Sequence, residues 1–342
     1  MFFRLRARYL VDKRLAFSAA EAPQKGLFLH RMLDVELRRA NLDKVAPNGH
    51  GNCAAPDNEI RHDRFPHPSH PPEGEGDKVS LREFHYVRRG QSVYSIAIVP
   101  PLDDRSSYAT GESFEFDINV FTGTQDGLAV MTMALFNLER MGRETAQPRL
   151  QLTRLSAITT GRLPVALYDA DSCPDFLEPD IPAVDADALC APIAVSSEAL
   201  LLETVTPIII TSPAKRHLKL EAQAPKLGRL VRAILRRCDD CWPDALAALT
   251  RQTSRDALEA HADNLDRSAG AILNEPFPAA SFWYGSSTHP EPLRFSGYTG
   301  RIVMNRDWQP LLPVLRVGSW LQVGQKTALG FGVYRLGSAA PE

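Results

Sequence analysis

Apolar and charged positions alternate along the first eleven residues. Leu5, Ala7 and Tyr9 fall on one side of an extended chain and Arg4, Arg6 and Arg8 on the other, which predicts a strand over Phe3–Val11 with one basic face. The period then lengthens. Leu29, Met32, Leu33, Leu37 and Ala40 recur at helical spacing, so Gly26–Asn41 reads as an amphipathic helix. Asn48–Asp77 is rich in Pro, Gly, His and charge without periodicity and reads as a long loop. Strand text resumes at Val93–Val99. It is cleanest at Ser113–Phe121, where Phe114, Phe116, Ile118 and Val120 alternate with Glu115, Asp117 and Asn119. A helix over Gln125–Met141 stopped by Gly142, and a strand around Leu150–Arg154, complete the first half.

Ala199–Ile210 is a strand candidate ending near Pro207. Lys226–Cys238 is a helix with Leu227, Leu230, Val231 and Ile234 inside and Arg229, Arg232 and Arg236 outside. A second helix is expected over Pro243–Leu265, a strand at Arg301–Met304, a short helix at Trp308–Trp320 and a last strand at Gly332–Leu336. Each half runs strand, helix, strand, strand, helix, strand, the ferredoxin-like order. The expected fold is α+β: two tandem ferredoxin-like (RRM-like) domains, with a helical insertion and a C-terminal glycine-rich loop. The expected domains are residues 1–168 and 193–342. An acidic, Pro-rich linker or insertion over 169–192 separates them.

With 44 % hydrophobic residues in 342, a packed core is expected and global disorder is excluded. No apolar run approaches the roughly 18–20 residues of a membrane span, and the basic start MFFRLRARYLV does not read as a signal peptide. The expected location is cytoplasmic, with no membrane partner. A net charge of −2 argues against a general polyanion binder, but the charge is unevenly spread. Eight basic residues against one acid lie between Lys215 and Arg237: Lys215, Arg216, Lys219, Lys226, Arg229, Arg232, Arg236 and Arg237. Seven acids and no Lys or Arg lie between Asp169 and Asp187. A basic stripe is either a local footprint for nucleic acid or a solvated helix face.

The most specific text is VGQKTALGFGVY, residues 323–334. Gly324, Gln325, Lys326 and Thr327, then Gly330 and Gly332, would let a backbone approach a phosphate with its N–H groups exposed, beside one cation. The spacing is not that of a P-loop, and the glycines precede a strand where a dinucleotide fingerprint would follow one. Together with SGYTGRIVM, LLPVLRVGSWLQ and the upstream LLLETVTPIII, this text resembles the C-terminal signature of the CRISPR-associated pre-crRNA endoribonucleases. The loop of that family opens with one more glycine, where this chain has Gln322. The resemblance implies binding of CRISPR repeat RNA and attack of a ribose 2′-hydroxyl on the adjacent phosphate without metal or cofactor, leaving a 2′,3′-cyclic phosphate and a 5′-hydroxyl. It also admits other CRISPR effector subunits as partners, and a non-catalytic crRNA-binding subunit as the alternative.

Such chemistry needs a proton acceptor, a proton donor and cations. The family often carries a histidine early in the first helix, and here GLFLHRML supplies His30, with Asp34 one turn on. A boundary histidine with a structural hydrogen bond is the competing account. Lys25, Arg31 and Tyr9 flank it as candidates for charge stabilisation or proton donation; Lys13 and Arg38 are weaker. RNA contacts are expected from the glycine loop and from Lys226, Arg229, Arg232 and Arg236. His50, Cys53, His62, His67 and His70 lack ordered zinc spacing, and Cys238 and Cys241 lack a second pair, so no metal site is expected. His85 and Tyr86 are a reserve pair, and Phe282, Trp283 and Tyr284 are candidates for stacking on bases.

Overall fold

The computed structural model describes residues 1–17, 25–43, 85–88, 91–103, 105–122, 125–144, 150–161, 163–172, 181–193, 199–210, 226–268, 271–274, 279–284 and 293–338. The expected loop over 48–77, with its histidines and Cys53, and Lys215, Arg216 and Lys219 of the basic stripe lie outside them. The N-terminal elements are β1 (Phe2–Val11), β2 (Leu15–Ala16), α1 (Lys25–Asp43), β3 (His85–Arg88), β4 (Gln91–Val99), β5 (Ser107–Tyr108), β6 (Ser113–Thr122), α2 (Gln125–Glu144), β7 (Leu150–Ile158) and β8 (Val165–Asp169). The antiparallel sheet runs β3-β4-β6-β1-β7-β8, and β2 and β5 pair apart from it. Its four inner strands follow the ferredoxin-like order, with β3 and β8 added at the edges.

Alternation along β1 and β6 decides what each face of this sheet does. Leu5, Ala7, Tyr9, Phe114, Phe116 and Ile118 pack with Leu29, Met32, Leu33 and Leu37 of α1 and with Met131, Leu135 and Leu138 of α2. The opposite face carries paired charge: Arg6 holds Asp117 through Nε at 2.7 Å and Nη2 at 3.1 Å, and Arg8 holds Glu115 at 2.8 Å. At one end that face turns apolar. Phe2, Ala97 and Phe121 are buried among residues of the C-terminal half, with the Phe2 ring 4.7 Å from Trp242 and 5.0 Å from Phe121.

The C-terminal elements are α3 (Ala186–Cys190), β9 (Leu200–Thr204), α4 (Leu227–Cys241), α5 (Pro243–Thr250), α6 (Arg255–Arg267), β10 (Ile272–Asn274), β11 (Ala279–Tyr284), β12 (Leu293–Tyr298), β13 (Arg301–Met304), α7 (Leu312–Leu321) and β14 (Tyr334–Ser338). The sheet order β10-β13-β9-β14 repeats the ferredoxin-like order. α5 and α6 are the helical insertion, and β11 pairs with β12 as a separate hairpin. The described part of the acidic stretch is packed: Val184, Leu189 and Cys190 are buried in the C-terminal core, and the Val184 N–H donates to the Phe2 carbonyl.

Three expectations need correcting. α2 runs through Gly142 to Glu144. The single helix expected over 243–265 is two, because Ser254 caps a new one, its hydroxyl accepting from the Ala257 N–H at 3.2 Å. The last strand starts at Tyr334, two residues late, since Gly332 belongs to the loop before it. Among the described residues, no helix is long and apolar enough to cross a membrane.

Candidate functional site

The glycine loop leaves α7 through Gln322 and returns to β14 through Val333. Gly324, Gly330 and Gly332 have φ of +90°, +86° and +84°, and Gln322 and Lys326 have +63° and +62°. The glycines are required by backbone crowding as well as by φ. A Cβ on Gly332 would lie 2.1 Å from the Val323 carbonyl oxygen, and one on Gly324 would lie 2.3 Å from that of Ile209.

These close approaches change what the loop offers. The N–H groups of Val323, Gln325, Leu329, Gly330, Phe331 and Gly332 donate to the carbonyls of Gly332, Ile209, Lys326, Thr327, Lys326 and Pro207. Those six amides are consumed inside the protein, so they do not form the exposed cradle expected from the sequence. Thr327, Gly330 and Gly332 are buried, whereas Gly324, Gln325 and Lys326 are half-buried. The face open to a ligand is therefore centred on Gly324–Lys326.

The first turn of α1 rests on this loop. A Cβ on Gly26 would stand 2.4 Å from the Leu329 carbonyl oxygen and 2.8 Å from the Gly330 Cα. Leu27 joins Ile209, Leu329 and Phe331 in a small apolar cluster. His30 lies four residues beyond Gly26 and three beyond Leu27, so it continues the same helix face one turn further along. It is half-buried, and its Nδ1 is shielded from solvent.

Lys25 and Tyr9 do not share that setting. The Lys25 ammonium is buried; it pairs with the Asp103 carboxylate, donates to the Asp103 carbonyl at 2.6 Å and lies 3.2 Å from the Tyr108 hydroxyl. Tyr108 donates to the same carboxylate at 2.7 Å. Desolvation works against the charge on Asp103, but the hydrogen bonds from Lys25 and Tyr108 hold its carboxyl below the usual range. Burial, then the neighbouring Asp103, pushes the Tyr108 hydroxyl up. Tyr9 is fully buried, stacked on Phe116 at 5.8 Å, and its hydroxyl donates to the Leu135 carbonyl at 2.7 Å. Burial raises its pKa well above the ordinary value. The strand alternation that identified β1 also sends Tyr9 into the core, so its nomination as a proton donor is corrected. Lys25 is a buried tie from α1 to Asp103 and Tyr108.

The basic stripe is narrower than the sequence suggests. Lys226, Arg229 and Arg236 are exposed along α4. Arg232 pairs with Asp263 of α6 at 2.9 Å, and Asp266 accepts from the N–H groups of Leu227 and Gly228 at the start of α4. Arg237 turns inward: its Nε donates to the Leu321 carbonyl at 2.9 Å, with the guanidinium 5.5 Å from the Phe121 ring centroid. Cys238 is fully buried, and burial pushes its thiol up. His85, Tyr86, Phe282, Trp283 and Tyr284 have described backbone in β3 and β11.

Sequence reasoning missed the contacts between the halves. Arg4 donates through Nη2 to the Trp320 carbonyl at 2.9 Å and through Nε to Asn119 at 2.7 Å. Asn119 donates to the same carbonyl at 2.7 Å. Gln322 donates through Nε2 to the Ile98 carbonyl at 2.8 Å. The one available signal was an Asn on the charged side of the β6 alternation.

The model of the family described as CRISPR-associated endoribonuclease Cas6 matches residues 202–334, from β9 to the start of β14. Among solved structures, a partial Cas6-RT-Cas1–Cas2 complex is similar at 14 % identity and a TM-score of 0.50, over 99 % of this chain and 46 % of that one. A Cas6-RT-Cas1–Cas2 complex gives the same identity and TM-score over 99 % of this chain and 29 % of that one. This chain thus spans less than half the length of either. A Cas6 product complex aligns over 98 % of this chain and all of that one, at 13 % identity and a TM-score of 0.48. At such identities the likeness is one of fold. No curated protein matches the chain.

Proposed function

The chain carries the signature of the CRISPR-associated endoribonuclease Cas6 family over residues 202–334, and on that premise we propose that it binds CRISPR repeat RNA and cuts it to mature crRNA. The observation that supports this reading is the seating of the glycine loop, at Leu329 and Gly330, on the first turn of α1, the helix that bears His30.

In this reading Lys226, Arg229 and Arg236 draw in the RNA backbone, each phosphate contact adding roughly 0.7–0.9 to the slope of log affinity against log salt. Lys326 supplies positive charge to the scissile phosphate. The ribose 2′-oxygen attacks phosphorus as its proton passes to a base, and the P–O5′ bond breaks as the leaving oxygen gains a proton. The products are the 2′,3′-cyclic phosphate and the 5′-hydroxyl. His30 serves one of the two proton steps, because imidazole titrates near neutrality. Lys25 and Tyr9 act only through the fold. The Cas1–Cas2 content of a similar structure supports further CRISPR subunits as partners.

The test is a single-turnover assay of labelled repeat RNA in EDTA. His30→Ala should slow cleavage by roughly 10²–10⁴-fold with affinity nearly unchanged, because proton transfer matters in the transition state. A 2′-deoxy residue at the cut should abolish cleavage, and cutting of that substrate would point to hydrolysis by water. A second reading, a non-catalytic crRNA-binding subunit, is favoured by the burial of both Lys25 and Tyr9. Binding of repeat RNA without cleavage by the wild type would establish it.

A further inference from the structure

Three consecutive residues, Trp320, Leu321 and Gln322, are each tied by a side-chain hydrogen bond just before the glycine loop begins. Arg4 and Asn119 hold the first, Arg237 the second, and Gln322 itself reaches Ile98. Arg4 also lies over this helix end, its guanidinium carbon 4.5 Å from the Trp320 ring centroid. The last carbonyls of a helix lack partners within it and attract cations, so Arg4 and Arg237 suit α7 here. Residues of β1, β4 and β6 thereby fix the point from which the loop departs.

Gln322 is the unusual member. Its φ of +63° and ψ of 157° fall in a region almost reserved for glycine. The side chain is fully buried, and its Oε1 finds no hydrogen-bond partner among the described residues. A glycine would remove both the backbone strain and the orphaned oxygen. What the glutamine adds is the Nε2 bond to β4, on the far side of the seam. Residues held in such conformations persist where their surroundings over-determine them.

We propose that Gln322 is a positioning residue: its bond to Ile98 ties the opening of the glycine loop to the N-terminal sheet, and so keeps the loop seated on the first turn of α1. The consequence for cleavage rests on the endoribonuclease reading above. The tie itself does not, and it is measured separately.

Gln322→Gly removes the tie and the strain together, and Gln322→Met keeps the bulk while removing the donor. Hydrogen exchange should quicken by about tenfold or more in peptides covering 322–333 and 25–33 of both variants, while strand amides of β1 and β9 stay protected. Cleavage should slow by roughly 10²-fold, the scale expected of a 1 Å misplacement, with RNA affinity within about threefold of wild type. Unchanged exchange in both segments of Gln322→Gly would overturn the proposal. So would failure of Gln322→Gly to fold, since Gln322 would then determine the fold and not the loop. If the wild type neither binds nor cuts repeat RNA, the endoribonuclease reading falls, and exchange still decides the tie.

Discussion

Replacing Gly26 with alanine sets two effects of opposite sign against each other. In a helix, alanine is favoured over glycine by up to about 1 kcal/mol. At Gly26 the new methyl would meet the Leu329 carbonyl oxygen at 2.4 Å and the Gly330 Cα at 2.8 Å. Ordinary contacts begin near 3.5 Å, so the helix and the loop must part by about 1 Å. Neither neighbour is a side chain that can rotate away. The loop side is held by the hydrogen bonds of Leu329 to Lys326 and of Gly330 to Thr327. Overpacking of this kind costs about 1–3 kcal/mol, which outweighs the helical gain. Gly26→Ala should therefore lower the midpoint of urea unfolding without changing its slope. Because the gap opens between the loop and the His30 face, cleavage of repeat RNA should fall by roughly 10²-fold as well. A variant stabilised by about 0.5–1 kcal/mol, the usual result for a helical glycine, would show that the loop is not seated on α1.

Tyr9→Phe should cost about 0.5–1.5 kcal/mol, the net worth of the buried hydrogen bond to the Leu135 carbonyl, yet leave the cleavage rate unchanged; a rate loss without a stability loss would return Tyr9 to the chemistry. Asp263→Asn should release Arg232 toward RNA and steepen the salt dependence of binding by roughly 0.7–0.9, read by fluorescence anisotropy across a salt series; an unaltered slope would mean that Arg232 never meets a phosphate. Asp103 carries a depressed carboxyl, so the unfolded chain binds its proton first, and the stability it contributes is present above the unfolded value near 3.9 and is lost as pH falls through the lower folded value. Asp103→Asn should accordingly flatten the loss of stability between about pH 5 and pH 2, and an acid limb as steep as that of the wild type would contradict the Lys25–Asp103 pairing.

The fold was largely readable because its main elements announce themselves by period. β1 and β6 alternate cleanly, and α1 and α4 carry one apolar stripe each. What escaped was set by neighbours distant in sequence. Among the described residues β8 pairs with β7 alone, and its text, Val-Ala-Leu-Tyr-Asp, has no strong alternation. The break between α5 and α6 depends on one serine cap inside a stretch that otherwise keeps helical spacing. Of the candidate site, the sequence nominates His30 and the loop residues, but not how the loop is seated. The sequence shows glycines and a lysine; it does not show that six loop amides donate inward. Arg229 and Arg232 look alike on a helical wheel, and only the approach of α6 separates an exposed cation from a paired one. Gln322 stands out only as a departure from the resembling family, and its strained backbone is a property of the folded chain.

The seam also sets an order of assembly. Arg4 and Trp320 are 316 positions apart, close to the largest separation this chain allows. During synthesis β1, β6 and β4 can pair long before α7 exists, so Arg4 and Asn119 wait in water while Phe2 and Phe121 stay uncovered. Contacts of such long range close late and slowly, and the apolar surface left open in the interval is what chaperones and aggregation compete for. The docking of residues 320–322 cannot precede the synthesis of α7, and the same contacts fix the opening of the loop.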